Sequence, residues 1–449
     1  MSQRKLIVVL GLVALVALMA GVSQASLSRV EGMDLSVPAL SQFTDDYVNM
    51  YYYPTSVVRQ NNLVMAEIGH SPDTDGDIGY SFPLDQTFTV VRNFPRFGAI
   101  AFQMKGSALN STPTVLGGLN HEQLDAIWGK AFTKLDLAVR LDITNSKYDA
   151  SATNGITSVT SKFLGDDFEG FSPFPFFFGV GPNLLSGNIE MNTFGITPAI
   201  AIHMQNDNRI EGAVTYRRYT LDRTQTNSTA GFVPETFKDA GNASYALLVR
   251  GVLAQGDKHV WYPAAWYVSD DLGWSVTNAG NVAGANRSAD ETYKYYGVGI
   301  SDNMKVNENN LLLWGVMVSQ TKHEFTRGDD NTGPGPTNGI KKLVNKESMF
   351  PMVFAAIETD ATKWLKVRMG ATRALVSNND EETDFGTPTP SSTTKTRGSD
   401  FNFNLGTGIR WNNLDIDMTL NQKFPLTGGY ILSGDQASPF TRVSATYHF

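Results

Sequence analysis

Charged side chains recur at every second position in several stretches of the chain. Lys134, Asp136, Arg140 and Asp142 alternate with Leu135, Leu137, Val139, Leu141 and Ile143. Asp415 and Asp417 alternate with Leu414, Ile416 and Met418, while Arg410 and Arg442 fall on the polar side of their own runs. Charges of both signs on one face can hold cross-strand ion pairs, or line a watery passage that selects solutes. A two-residue Asn412-Asn413 loop would set Arg410 directly against Asp415 as one such pair.

A second candidate is the stretch Phe171-Ser-Pro-Phe-Pro-Phe-Phe-Phe-Gly-Val-Gly181. Phe171, Phe174, Phe176, Phe177 and Phe178 are too apolar to stand in water alone. Three readings stay open: self-packed structure, capture of an apolar ligand, or docking of another protein or of lipopolysaccharide. Catalytic and metal patterns are weaker. Asp73-Thr-Asp75-Gly-Asp77 opens like a calcium loop, but its sixth and twelfth positions are Ile78 and Leu84 rather than Gly and Glu. None of the six His lies in H-E-x-x-H spacing, and no nucleophile elbow or phosphate loop is present. The expectation is no enzyme, no metal and no cofactor. A lipase or protease assembled from distant residues, for example around His323, Asp329 and Asp330, is the residual alternative.

The elements that would position these residues are β-strands. Beyond residues 134–143, the run 401–411 places Phe401, Phe403, Leu405, Ile409 and Trp411 on one face, with polar residues and Gly on the other. Period two is strand, not helix. Sixteen strands are predicted, near 61–69, 77–90, 97–107, 122–132, 134–145, 191–204, 209–222, 243–255, 258–269, 292–304, 310–324, 347–359, 363–376, 399–411, 413–424 and 440–449. The number falls to 14 if residues 61–93 belong elsewhere. Short turns, such as Asn206-Asp207-Asn208, Gly256-Asp257 and Asn412-Asn413, alternate with long polar loops, as at 146–190 and 325–346. That rhythm is the architecture of a transmembrane up-and-down β-barrel, with short periplasmic turns and long outer loops. Trp128, Trp261, Trp314, Trp364 and Trp411 fall near short turns, where an aromatic girdle belongs.

Composition agrees. The chain has 449 residues, 11% aromatic and 18% charged, and no cysteine. Its net charge is −8, which argues against a nucleic-acid partner. Arg4 and Lys5, the apolar run from Leu6 to Ala20 and Ser23-Gln24-Ala25 read as a secretory leader over residues 1–25. The mature chain would carry 34 basic residues against 44 acidic, a net −10. The final strand alternates Val443, Ala445, Tyr447 and Phe449. It resembles the C-terminal signature that outer-membrane barrels present, through Phe449 here, to the barrel-assembly machinery.

Residues 29–54 do not alternate. Arg29, Gly32 and Met33, then Asp45 and Asp46, then Pro54 resemble the start of the FadL-type transporters and related PorV-type barrels. Those begin with an R-x-x-G-M-G stretch, an A-D-D element and an N-P-A-G-L turn. Asp34 stands where the pattern has its second Gly, and no Ala-Gly-Leu follows Pro54. The resemblance implies a segment, residues 26–60, folded as a plug into the lumen of a barrel spanning residues 61–449. It also implies uptake of hydrophobic solutes, or a scaffold role for surface or secreted proteins. The combined expectation is a bacterial outer-membrane channel or transporter for small or hydrophobic solutes, surrounded by outer-membrane lipid and lipopolysaccharide.

Overall fold

The computed structural model describes residues 26–35, 38–60, 62–69, 84–108, 120–150, 186–206, 208–226, 235–239, 241–277, 287–329, 340–384, 390, 392–420 and 440–449. The leader, the Asp73–Asp77 motif and Phe171, Phe174, Phe176, Phe177 and Phe178 lie outside these residues. Seventeen strands form one sheet. The first group is β1 (Leu63–Gly69), β2 (Leu84–Phe94), β3 (Gly98–Ala108), β4 (Asn120–Ala131), β5 (Leu135–Ala150) and β6 (Ser186–His203). Then come β7 (Arg209–Thr226), β8 (Glu235–Asp239), β9 (Ala243–Gln255), β10 (His259–Thr277) and β11 (Arg287–Asn307). The last are β12 (Asn310–Asp329), β13 (Ile340–Asp360), β14 (Leu365–Asp384), β15 (Ser392–Trp411), β16 (Leu414–Leu420) and β17 (Phe440–His448).

Every pairing is antiparallel, and β1 pairs with both β2 and β17, which closes the sheet. Both β8 and β9 bond to β7 on one side and β10 on the other, so the two share one stave. The result is a closed barrel of sixteen staves. Strands β1 and β2 belong to the wall, which excludes the 14-strand alternative. Closure leaves no open edge along the paired length, the condition for a sheet to stand in lipid.

Side-chain period two sorts the wall into two surfaces. On β6, Phe194, Ile196, Ile200 and Ile202 point outward and are exposed, while Thr193, Thr197, Ala199 and Ala201 point inward and are buried. The short turns gather at one rim. Asn206, Gly256 and Asn412 take positive φ there, at 60°, 66° and 55°, as tight hairpins require. Arg410 faces Asp415 in register across the Asn412-Asn413 turn, as the spacing predicts. Trp314, Trp364 and Trp411 are exposed near this rim. Trp261 meets Trp314 edge-on at 6.1 Å, and Trp128 packs on Phe97 at 6.2 Å. An apolar outer band ending in an aromatic girdle is the surface of a transmembrane barrel. One expectation needs correction. Lys134 precedes β5 and is exposed in the rim turn, so it does not line the wall.

Residues 26–60 lie against the inward-facing side chains. They form helix α1 (Leu27–Gly32), a short helix at Pro38–Ser41, and two 3-10 turns at Tyr47–Tyr51 and Pro54–Arg59. Val30, Met33, Leu35, Leu40, Phe43, Met50 and Tyr53 are wholly buried among wall residues. Phe43 stacks on Phe354 at 5.2 Å. The densest packing therefore sits inside the barrel. A charge placed in the outer band should be costly there. Ile196→Arg, in the middle portion of β6 on the outer face, should destabilise the barrel by about 2–4 kcal/mol in urea titrations from lipid vesicles.

Candidate functional site

Two groups of ion pairs tie the N-terminal segment to opposite parts of the wall. In the first, Ser26 caps α1, accepting from the Arg29 amide at 3.2 Å and donating to Asp417 Oδ2 at 2.9 Å. Arg29 pairs with Asp46 in the segment and donates through Nε to Glu358 Oε2 at 2.6 Å. Arg368 bridges the same Glu358 to Asp417, at 2.6 Å each. Beside them Arg442 donates to Glu31 at 2.8 Å, and Thr419 donates to the Ser28 carbonyl at 2.9 Å.

The second group centres on Arg250 of β9, whose side chain has no exposure. It donates to Glu211 at 2.6 Å, to the Thr44 carbonyl at 2.7 Å and to Asp45 at 3.2 Å, and lies over the Tyr53 ring at 4.5 Å. Arg209 joins Glu211 to Asp45, and Arg59 joins Glu211 to Asp136. The formal charges balance at three arginines against Asp45, Glu211 and Asp136. A neighbouring contact adds Arg140, held by Asp125 at 2.7 Å, which donates to the Tyr51 carbonyl at 2.8 Å. Burying charges is tolerable only when such pairing is complete.

Close backbone contacts complete the fit. A Cβ on Gly32 would lie 2.8 Å from the Gly406 Cα, and one on Gly370 would overlap the Met33 carbonyl. Asp34 follows with φ at 57°, a left-handed turn where Gly is easiest and Asp is tolerated. Asn404 donates to its Oδ1 at 2.7 Å. Burial pushes the Asp34 carboxyl up to about 6, partly offset by hydrogen bonds from Thr372 and Asn404. Burial also raises Asp46, even beside Arg29. At Asp45, burial acts upward too, but Arg209 and Arg250 hold the carboxyl below its usual value.

Most of the sequence-predicted charges therefore face the interior, but as paired groups. Asp136, Arg140, Asp417 and Arg442 contact the segment or its partners, whereas Asp142 pairs with Arg217 and Arg410 with Asp415. Arg29, Gly32, Met33, Asp45 and Asp46 make the contacts given above, and Pro54 opens the second 3-10 turn. Sequence reasoning missed Arg250, Glu211, Arg209, Glu358 and Arg368. Their signal was available, since each is a charge on the inward parity of a strand.

No family model and no curated protein match the chain. Among solved structures, a FadL homologue of Pseudomonas aeruginosa aligns over 96% of this chain and 100% of its own, at 10% identity and a TM-score of 0.43. The toluene transporter TodX of Pseudomonas putida aligns over 95% and 97%, at 8% identity and 0.37. The ferric-catecholate import receptor Fiu of E. coli K12 aligns over 87% and 82%, at 10% and 0.37. Likeness this slight carries no functional weight beside the residues themselves.

Removing Arg250 would leave Glu211 and Asp45 short of a buried counter-charge. Arg250→Met should weaken docking of the segment by about 3–5 kcal/mol, read as lost hydrogen-exchange protection over residues 42–53 with the strands unchanged. Asp34 gives a second expectation. Its docked pKa is raised, so its contribution is full below the undocked value of 3.8 and fades as pH rises through about 6. Protease access to the segment should increase between pH 4 and 6, and Asp34→Asn should flatten that rise.

Proposed function

We propose that this chain is a bacterial outer-membrane channel or transporter for small solutes, with residues 26–60 as its plug. The observation that carries this reading is the set of buried ion pairs joining the segment to both sides of the bore. The apolar outer band, the aromatic rim and the terminal Phe449 support placement in the outer membrane. Phe449, lying under Arg92 and exposed, is the natural contact for the assembly machinery.

A cavity of about 390 Å³ opens between the segment and the wall at the short-turn end. Arg29, Asp45, Asp46, Glu358, Lys366 and Asn303 line it, with Val260, Tyr262, Leu311 and Leu313 as its apolar part. Amides and charges of both signs suit a small polar solute, which would exchange water contacts for these groups. Arg29 and its carboxylates stand at the cavity edge, so parting them would widen it along β10 to β14.

Liposome swelling with graded sugars tests the reading. The intact mature protein should pass them slowly, a version lacking residues 26–60 quickly, and Arg29→Ala at an intermediate rate. Equal rates for intact and truncated protein, with both showing the heat-dependent gel shift of a folded barrel, would reject the plug. No permeation by either form would reject the channel.

A further inference from the structure

The strand pairings place a row of lysines on the outer face of the barrel. Lys294 on β11 stands opposite Lys322 on β12, which stands opposite Lys346 on β13. The row continues through Asn379 on β14 to Lys395 on β15. Lys294 shares the outward parity of Tyr296 and Val298, and Lys322 that of Trp314 and Val316, all exposed. Like charges directly opposite one another on a sheet are unfavourable. Carboxylates offset only part of this row. Glu324 pairs with Lys322 at 2.6 Å and also with Lys342, and Glu381 lies 3.7 Å from Lys346. Lys294 and Lys395 have no ion pair among the described residues. An anion from outside the chain would relieve the repulsion.

A second feature lies just below the row. Tyr296 donates to Gln320, and Gln320 donates to Ser348 at 3.2 Å, a polar ladder one step nearer the short turns. Beneath that ladder is an apolar groove of about 650 Å³ on the outer wall, lined by Leu247, Val249, Tyr267, Val298 and Phe350. Phe350 stands out from the wall at 71% exposure, where β13 carries an extra residue between Met349 and Met352. The depth also fits. Lys322 lies eight residues along β12 from Trp314 in the rim girdle. That is roughly 26 Å of strand, or about 20 Å along the membrane normal at a tilt of ~40°. In a band about 25 Å tall, Lys322 therefore stands near the long-loop edge, where its flexible stem can carry the ammonium up to headgroup level.

We infer that β9 to β15 carry a binding site for a phosphorylated, multiply acylated lipid of the outer leaflet. Its acyl chain would lie in the Leu247–Phe350 groove, and its phosphates on Lys294, Lys322 and Lys346. A lipid is favoured over free phosphate because the groove and the lysines adjoin at headgroup depth. The site faces away from the plug, so its fate is separate from the swelling result.

The test titrates bis-phosphorylated lipid A, and the same lipid stripped of its phosphates, into the full mature protein in mild detergent, read by native mass spectrometry. K294Q/K322Q/K346Q should lose affinity for the phosphorylated lipid by on the order of 100-fold, and K294Q alone, which breaks no ion pair, by about 5-fold. Neither should change binding of the stripped lipid, whereas Phe350→Ala should weaken both. K134Q/K363Q, at exposed rim turns, should change nothing. Equal losses for both lipids, or an unchanged triple variant that keeps its heat-dependent gel shift, would overturn the site. So would competition by inorganic phosphate as effective as by the lipid.

Discussion

Arg250 has no contact with water, and that single fact constrains much of the interior. A guanidinium cannot give up its charge, so once covered it must find acceptors for its donors. Glu211 supplies one from the wall, but the Thr44 and Gln42 carbonyls and Asp45 come from the segment. Glu211 in turn accepts from Arg59 and Arg209. Within the wall, Glu211 alone is paired with both Arg209 and Arg250. The segment brings Asp45 as a second carboxylate for these arginines and Arg59 as the link from Glu211 to Asp136. Wall and segment each carry balanced charge here, but the ion pairs are completed only across the contact, which fixes one docked position more narrowly than apolar packing alone.

Backbone geometry adds a steric condition to the electrostatic one. Gly406 and Gly370 leave hollows in the inner face of β15 and β14, and the turn at Gly32 and Met33 enters them. The turn then needs a left-handed residue, and the chain uses Asp34 where a glycine would be easiest. Asp keeps the conformation and adds a carboxyl that Asn404 can hold. The cost is a buried acid whose pKa is pushed up to about 6. A glycine would give the same turn without that sensitivity to pH.

The barrel was legible in the sequence because lipid and lumen impose opposite demands on alternate residues. All sixteen predicted strand positions carry strands, and Arg410 meets Asp415 where a two-residue turn required it. What alternation cannot show is depth or partner. Lys134 fits the inward parity but falls in the turn, because parity does not say where a strand starts. Asp136 and Asp417 read as lumen-lining charges, in ion pairs or along a watery passage, and no strand pattern reveals that a segment more than 70 residues earlier supplies Arg59 and Ser26 to them. Arg209, Glu211 and Arg250 were passed over because each sits in a run dominated by apolar residues. Their inward parity was the one clue.

The two ion-pair groups are not equivalent, because they lie at different distances along the segment from its junction with β1. Its last residues run directly into β1, and Asn93 fixes that junction by donating through its amide to Asn62 Oδ1 at 2.7 Å and through its side chain to the Gln60 carbonyl. The Arg250 group lies close to this tether in sequence, through Asp45, Tyr53 and Arg59. The Arg29 group holds the other end of the segment, through Ser26, Arg29, Glu31 and Asp34. A displacement that spares the covalent chain therefore has its longest lever at the Arg29 group, with the Arg250 group nearer the pivot. The polar cavity lies against Arg29, Asp46 and Glu358, the ion pairs such a movement would part first. Asp34 and Asp46, two acids of the segment whose pKa burial raises, stand at or beside the Arg29 group.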